Sequence, residues 1–128
     1  MELNLIYDTN IFIYHFKNQP EVTTYFEPHF LLSNNVFISV ITRIELLSYS
    51  EITTDEENFI INLLQYFSII RLSFELENKT IELRKKLKLK TPDAIIAAST
   101  ILNNASLLTR NTDDFKKIKN IKIINPFY

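Results

Sequence analysis

The side chains of this 128-residue chain that could do chemistry are a small set of carboxylates. Each lies close to the start or end of an apolar run that is typical of a strand or helix. The set consists of Asp8, Glu45, Asp93 and the adjacent pair Asp113 and Asp114. Carboxylates that converge on one edge of a sheet repel each other and raise each other's pKa. A hard divalent cation with oxygen ligands would offset that repulsion, so a metal site is one interpretation of the set.

Each of these carboxylates also has an ordinary structural interpretation. Asp8 could form an Asx-turn where a strand passes into a helix, and Glu45 could complete a helix capping box. Asp93 could complement a helix dipole. Asp113 or Asp114 could cap a short helix. Residue types and spacings alone therefore leave both interpretations open.

The composition excludes several classes of enzyme. The chain contains no Cys, which removes disulfides, thiolate metal ligands and a cysteine nucleophile. It contains no Gly, which removes a phosphate-binding glycine loop and a dinucleotide fingerprint. Its length and its 46% of hydrophobic residues favour a single domain over residues 1–128. It shows neither a signal sequence nor a run of about 18 apolar residues, so we expect a cytoplasmic protein with no membrane partner.

Charge is distributed unevenly along the chain, although the net value is −1. Residues 1–57 contain nine acidic and two basic side chains, whereas residues 58–128 contain six acidic and twelve basic ones. The run RKKLKLK, just before Asp93, holds the basic residues Arg84, Lys85, Lys86, Lys88 and Lys90. Such a run is either a solvated helix face or a surface that binds the phosphate backbone of a nucleic acid.

Short apolar strands alternate with amphipathic helices along the sequence. The predicted strands are Leu3–Tyr7, Val36–Val40, Ser68–Leu72, Ser106–Thr109 and Ile121–Ile124. The predicted helices are Asn10–Phe16, Pro20–Leu32 with an interruption near Pro28, Thr42–Tyr49, Thr53–Tyr66, Phe74–Leu87 and Pro92–Asn103. In the fourth of these helices Thr54 and Glu57 stand at capping-box spacing, and Asn103-Asn104 replaces the missing glycine at the end of the last. This alternation predicts an α/β fold with a mostly parallel sheet, whose carboxyl-terminal edge gathers functional groups.

Four segments resemble the PIN-domain family and, within it, the small VapC-like toxins of toxin–antitoxin pairs. They are IYDTNIF at residues 6–12, SVITRIELL at 39–47, TPDAIIAAS at 91–99 and LLTRNTDDF at 107–115. Their order and spacing span nearly the whole chain. The resemblance implies a three-layer α/β/α sandwich around a central, mostly parallel sheet. It also implies a Mg²⁺- or Mn²⁺-dependent ribonuclease.

The resemblance implies roles for the carboxylates. Asp8, Glu45 and Asp93 match the acidic positions of the family. Asp114 matches one form of the fourth position. One ion held by Asp8 and Asp93 would bind a phosphate oxygen of RNA and activate a water molecule. Glu45 and Asp114 would hold water ligands or a second ion, and hydrolysis would be a single in-line displacement by water.

Neighbouring residues are candidates for supporting roles. Thr9 and Thr109 could orient ligands through their hydroxyl groups or serve as ordinary caps. Asn111 replaces the acid in another form of the fourth position, and Asp113 is a further acidic candidate there. The basic run Arg84–Lys90 would steer RNA phosphates toward the metal.

The resemblance further implies three partners: an RNA substrate, a cognate antitoxin protein and a second copy of the chain in a homodimer. His15 is either a structural residue or close to the site, and the N-terminal aromatic side chains either fill a core or stack on bases. A competing function is a PIN-like module that binds protein or RNA without catalysis. A phosphatase with an aspartyl nucleophile is disfavoured because Asn10, two residues after Asp8, cannot protonate a leaving group.

Overall fold

The computed structural model describes residues 2–128, which form one five-stranded sheet covered by helices. The strands are β1 (Asn4–Tyr7), β2 (Asn35–Ser39), β3 (Ser68–Ile70), β4 (Ser106–Leu108) and β5 (Lys122–Ile124). They lie in the order β3-β2-β1-β4-β5, and every pair of neighbours is parallel. The predicted mostly parallel sheet is confirmed, with strand ends that differ by one or two residues from the predicted ones.

The helices follow the predicted alternation with the strands. They are α1 (Thr9–Phe16), α2 (Pro20–Thr23), α3 (Pro28–Ser33), α4 (Val40–Leu47), α5 (Thr54–Leu64), α6 (Phe74–Lys86), α7 (Thr91–Leu102) and α8 (Thr112–Phe115). The predicted interruption near Pro28 is confirmed, because Glu27 is extended at φ −68° and ψ 137°. Proline disfavours helical geometry in the residue before it. No helix within residues 2–128 is both long and apolar enough to cross a lipid bilayer.

Two hydrophobic cores, one on each face of the sheet, make three layers. Alternation along β1 separates them, because Leu5 and Tyr7 belong to one core and Ile6 to the other. Helices α1 to α5 contribute side chains to the first core. Helices α6, α7 and α8 contribute to the second. The predicted three-layer α/β/α architecture is therefore confirmed.

Helix α5 begins one residue earlier in its capping pattern than predicted. The side chain of Thr53 accepts a hydrogen bond from the Glu56 amide at 3.1 Å, and Glu56 Oε1 accepts one from the Thr53 amide at 3.0 Å. The predicted box of Thr54 and Glu57 is wrong, although both pairs have the same spacing. Thr53 is the extended residue, at φ −82° and ψ 162°, which is the geometry of an N-cap.

The cap leads to a simple test of this register. Thr53→Ala is expected to lower the free energy of unfolding by about 1 kcal/mol, because it removes the acceptor for the first turn of α5. Thr54→Ala should change it by less than about 0.5 kcal/mol, because exposed side chains away from such features contribute little. Urea denaturation of both variants measures the difference, and equal effects would contradict the assigned cap.

Asparagine replaces glycine where the backbone must turn left-handed. Among the described residues Asn18, Asn104 and Asn120 have positive φ, at 60°, 48° and 66°. Asn tolerates this region better than most residues with a β-carbon. Asn104 follows the end of α7, which confirms the predicted asparagine terminator of that helix.

Candidate active site

The carboxyl-terminal edge of the sheet brings together the ends of β1 and β4. The amide of Asp8, directly after β1, donates to the carbonyl of Leu108 at 3.0 Å. The amide of Thr109, directly after β4, donates to the carbonyl of Ile124 at 3.0 Å. Both residues are therefore held by extensions of the parallel ladder, at the edge where α/β sheets usually bind ligands.

Asp8 is a buried carboxylate, with 5% of its surface exposed. The hydroxyl of Thr109 donates to Asp8 Oδ2 at 2.8 Å. Burial, with smaller contributions from the negative charges of Asp93 and Glu45, raises the pKa of Asp8 to about 6 despite the lowering effect of the Thr109 hydrogen bond. Within residues 2–128 no basic side chain forms an ion pair with this carboxylate.

Glu45 is tied to the start of α1 by Thr9. The hydroxyl of Thr9 donates to Glu45 Oε1 at 2.8 Å. Thr42 Oγ1 lies 2.9 Å from Thr9 Oγ1, and it must be the donor because the single hydroxyl hydrogen of Thr9 is already used. The capping interpretation of Glu45 is wrong, because Ser39 caps α4 by accepting from the Ile41 amide at 3.1 Å.

Asp93 lies in the first turn of α7 and is half-buried. Burial raises its pKa, and the charges of Asp114 and Glu45 raise it further. The positive charge of Lys90 lowers it in part. Asp93 therefore lies close enough to the carboxylates on α4 and α8 for their charges to raise its pKa. Its own charge raises the pKa of Asp8.

Asp114 joins the same hydrogen-bond chain through Asn111. The Asn111 side-chain amide donates to Asp114 Oδ2 at 3.1 Å, and the Asn111 backbone amide donates to Thr109 Oγ1 at 3.0 Å. The side chain of Asp113 is instead 88% exposed and pairs with Lys116 at 3.3 Å. The structure thus brings Asp114 toward the other carboxylates and leaves Asp113 outside.

Neither aspartate caps the helix that contains them. Helix α8 begins at Thr112, with Asn111 in the N-cap position, and no side chain completes the cap. The alternative in which Asp113 or Asp114 caps a short helix is therefore wrong, because both residues already lie inside the helix.

The four carboxylates at this edge form an oxygen donor set. No Lys or Arg within residues 2–128 forms an ion pair with Asp8, Glu45, Asp93 or Asp114. In the same part of the chain, no three Asp, Glu, His or Cys side chains converge tightly enough to hold one ion jointly. Mg²⁺ commonly takes one or two carboxylates and completes its octahedron with water and substrate phosphate. The set fits a hard cation of that kind.

The basic run Arg84–Lys90 lies between α6 and α7 and ends beside Asp93. All five basic side chains of the run are exposed. The Nε of Arg84 donates to the carbonyl of Leu89 at 3.2 Å, which folds the run back on the end of α6. Lys86 also pairs with Glu82 at 3.3 Å. Lys90 is the N-cap of α7 and is the base whose charge reaches Asp93.

His15 and the aromatic side chains near it have structural roles. The His15 ring stacks on Phe26, with centroids 4.1 Å apart and planes 5° apart, and burial lowers its pKa. Tyr7 and Phe12 are fully buried in the first core. Tyr7 and Phe12 fill the core, so base stacking is not available to these two rings. The sequence analysis gave Thr42 no role at the site. Residues three apart on a helix share a face, so the spacing of Thr42 and Glu45 could have indicated that both contact the same neighbour.

Comparison with known proteins agrees with this architecture. A family model described as PIN domain matches residues 5–121. Among curated proteins no sequence matches the chain.

Solved structures with the same fold come from bacterial toxin–antitoxin complexes. A toxin–antitoxin complex from Klebsiella pneumoniae contains a chain 32% identical to this one, with 96% of this chain and 98% of that chain covered at a TM-score of 0.78. VapBC2 from Rickettsia felis, bound to a DNA fragment from its promoter, is 27% identical over 96% and 98%, with a TM-score of 0.83. DNA-bound VapBC from Salmonella typhimurium shares the fold at 22% identity over 97% and 98%, with a TM-score of 0.82. With the family model covering residues 5–121 and the sheet order and layers as described, this chain belongs to the PIN domain family.

Proposed function

We propose that this protein is a divalent-metal-dependent endoribonuclease and the toxin of a toxin–antitoxin pair. The observation that carries the proposal is the buried carboxylate of Asp8, surrounded by the charges of other acids at the carboxyl-terminal edge of a PIN domain. The likeness to a chain from a toxin–antitoxin complex, at 32% identity over almost the full length of both, supports the toxin role.

Asp8 and Asp93 are the proposed ligands of the ion, with Glu45 and Asp114 around it. A bound Mg²⁺ or Mn²⁺ would lower the pKa of a water molecule and neutralise charge on the phosphate. Asp8 offers a desolvated oxygen at a fixed position, because Thr109 occupies its other side. Glu45 and Asp114 are more accessible and suit the orientation of water.

The hydroxyl and amide side chains of the edge are proposed to position the carboxylates. Thr109 and Thr9 each donate to one acid, so each fixes one carboxylate oxygen. Asn111 does the same for Asp114. The fourth acid of the site is therefore proposed to be Asp114, since Asp113 is engaged with Lys116 at the surface.

RNA is the proposed substrate, bound by phosphate contacts from the run Arg84–Lys90. The run is exposed and ends beside Asp93, so a strand lying on it would bring phosphates to the carboxylates. An antitoxin protein is the proposed physiological partner, by analogy with the complexes from Klebsiella pneumoniae and Rickettsia felis. The homodimer stays a prediction from the family resemblance.

The direct test is cleavage of RNA by the purified chain without a partner. We expect hydrolysis of RNA in Mg²⁺ or Mn²⁺ and none in EDTA, because the proposed mechanism needs a bound cation to lower the pKa of the attacking water. Structured RNA, unstructured RNA and single-stranded DNA of the same sequence are compared, so that the assay also reports the class of nucleic acid. Cleavage that persists in EDTA would contradict the metal-dependent mechanism.

Metal binding separates the nuclease from a PIN-like module without catalysis. A bound ion raises the thermal midpoint by mass action. Stabilisation by Mn²⁺ without cleavage of any tested RNA would retain the site and direct the search to other substrates. The absence of both stabilisation by the ion and cleavage of RNA would favour the binding module.

A further inference from the structure

Arg110 is an exposed cation between two residues that hold the carboxylates. Thr109, before it, donates to Asp8, and Asn111, after it, donates to Asp114. Its backbone is fixed as well, because its carbonyl accepts from the Thr112 amide at 2.9 Å. Hydrogen bonds on both sides therefore hold the backbone from which the Arg110 side chain extends.

The guanidinium of Arg110 rests on aromatic rings. Its central carbon lies 4.1 Å from the ring centroid of Phe127 and 5.4 Å from that of Tyr14. The two rings pack edge to face with centroids 5.0 Å apart. Phe127 is held in turn by its amide, which donates to Asn125 Oδ1 at 2.9 Å. Stacking of this kind orients the plane of an arginine and stabilises its charge.

The hydrogen-bonding edge of this guanidinium is open. Within residues 2–128 no carboxylate forms an ion pair with Arg110, and no acceptor takes a hydrogen bond from its side chain. An arginine carries five N–H donors in a planar fork that matches phosphate. The stacked face uses none of them, so the fork is available to a ligand.

We propose that Arg110 binds a backbone phosphate of the RNA strand close to the cleaved bond, with Phe127 and Tyr14 holding the guanidinium in place. The proposal rests on the proposed nuclease function. Tyr14, one of the two rings that contact Arg110, lies five residues after Thr9 in α1, which is a rise of about 7.5 Å from the residue that holds Glu45. A phosphate is favoured over an acidic side chain because Arg110 directly follows Thr109, which holds the proposed metal ligand Asp8, so the phosphates that flank the scissile bond pass close to it.

Binding of a labelled single-stranded RNA to Asp93→Asn protein tests the assignment without cleavage. Adding Arg110→Gln should weaken the affinity about tenfold, as expected for loss of a charge-assisted contact. The slope of log affinity against log salt should fall by about 0.7, the value for one lost phosphate contact on a single strand. In protein with Asp93 intact, the same change should raise KM more than it lowers kcat.

Conservative variants separate the charge of Arg110 from its aromatic support. Arg110→Lys keeps the charge and should retain most of the salt slope, with a smaller loss of affinity. Phe127→Leu keeps the arginine but removes the ring beneath it, and should weaken affinity without changing the slope. Lys122→Gln is the matched control, since it removes one exposed charge at the amino end of β5, opposite the site. Thermal midpoints of all variants report whether folding is affected.

The outcomes distinguish the Arg110 proposal from the proposed nuclease function on which it rests. If the wild-type chain cleaves RNA but Arg110→Gln matches it in affinity, slope and KM, the phosphate contact is overturned and the nuclease stands. Equal losses in Arg110→Gln and Lys122→Gln would overturn it as well, since they would reflect general attraction. Poly-glutamate serves as a probe for an acidic protein partner. If Arg110→Gln weakens binding to poly-glutamate but not to RNA, the phosphate contact is overturned and Arg110 is assigned to a protein partner. Failure of the parent protein to bind or cleave any RNA would overturn both proposals together.

Discussion

An Asp93→Asn variant is expected to hydrolyse RNA about a thousandfold more slowly than the wild-type chain at the same Mg²⁺ concentration. Metal ions contribute several kcal/mol to stabilising charge in such transition states, and about 1.4 kcal/mol corresponds to tenfold in rate. Asparagine keeps the size of the side chain and one of its oxygens, so the loss reports the missing charge. Initial rates on one RNA in Mg²⁺ measure it.

Asp113→Asn is the matched control for this variant. It makes the same chemical change near the same edge of the sheet, at a side chain that is 88% exposed and paired with Lys116. Its rate should stay at the wild-type value, because exposed ion pairs of this kind contribute little. Full activity in Asp93→Asn, or equal losses in both variants, would remove Asp93 from the site.

The fold was largely predictable because its signals are local. Alternation of buried side chains in β1, with Leu5 and Tyr7 on one face and Ile6 on the other, is written in consecutive residues. The break before Pro28 follows from the covalent geometry of proline. The error at α5 has the same local origin, because Thr53 with Glu56 and Thr54 with Glu57 satisfy the same spacing rule. Thr53 is the cap because Thr54 is already helical, whereas Thr53 has the extended geometry of an N-cap.

The site was predictable only in part, because its hydrogen bonds join distant segments. Asp8 and Asp93 stand where strands end or helices begin, which is visible in the sequence. The bond from Thr109 to Asp8 spans 101 residues, and no local pattern reports it. The choice between Asp113 and Asp114 likewise depends on which way α8 faces. The aromatic support of Arg110 depends on Phe127, which returns to α1 only in the folded chain.

Asp8→Asn should stabilise the metal-free protein at pH 7 by about 3 kcal/mol, and so raise its thermal midpoint by about 10 °C. Burial and neighbouring charges raise the pKa of Asp8 from 3.8 to about 6, so the ionised side chain opposes folding at neutral pH. Asparagine is neutral and still accepts the hydrogen bond that Thr109 donates. Thermal unfolding in EDTA measures the difference, and Asp113→Asn serves as the exposed control.

The pH dependence of this difference identifies its cause. Because the folded state holds the proton of Asp8 more tightly than the unfolded chain, wild-type stability falls as the pH rises from 3.8 to about 6. The advantage of Asp8→Asn should therefore shrink below about 1 kcal/mol near pH 4 and level off above pH 6. An advantage that is constant with pH would point to packing instead. With added Mn²⁺ the wild-type chain should become more stable than Asp8→Asn, because a bound cation favours the charged carboxylate. A buried charge that opposes folding, yet accepts a hydrogen bond from Thr109, is what the proposed role of Asp8 as a cation ligand predicts, because function at such a site costs stability.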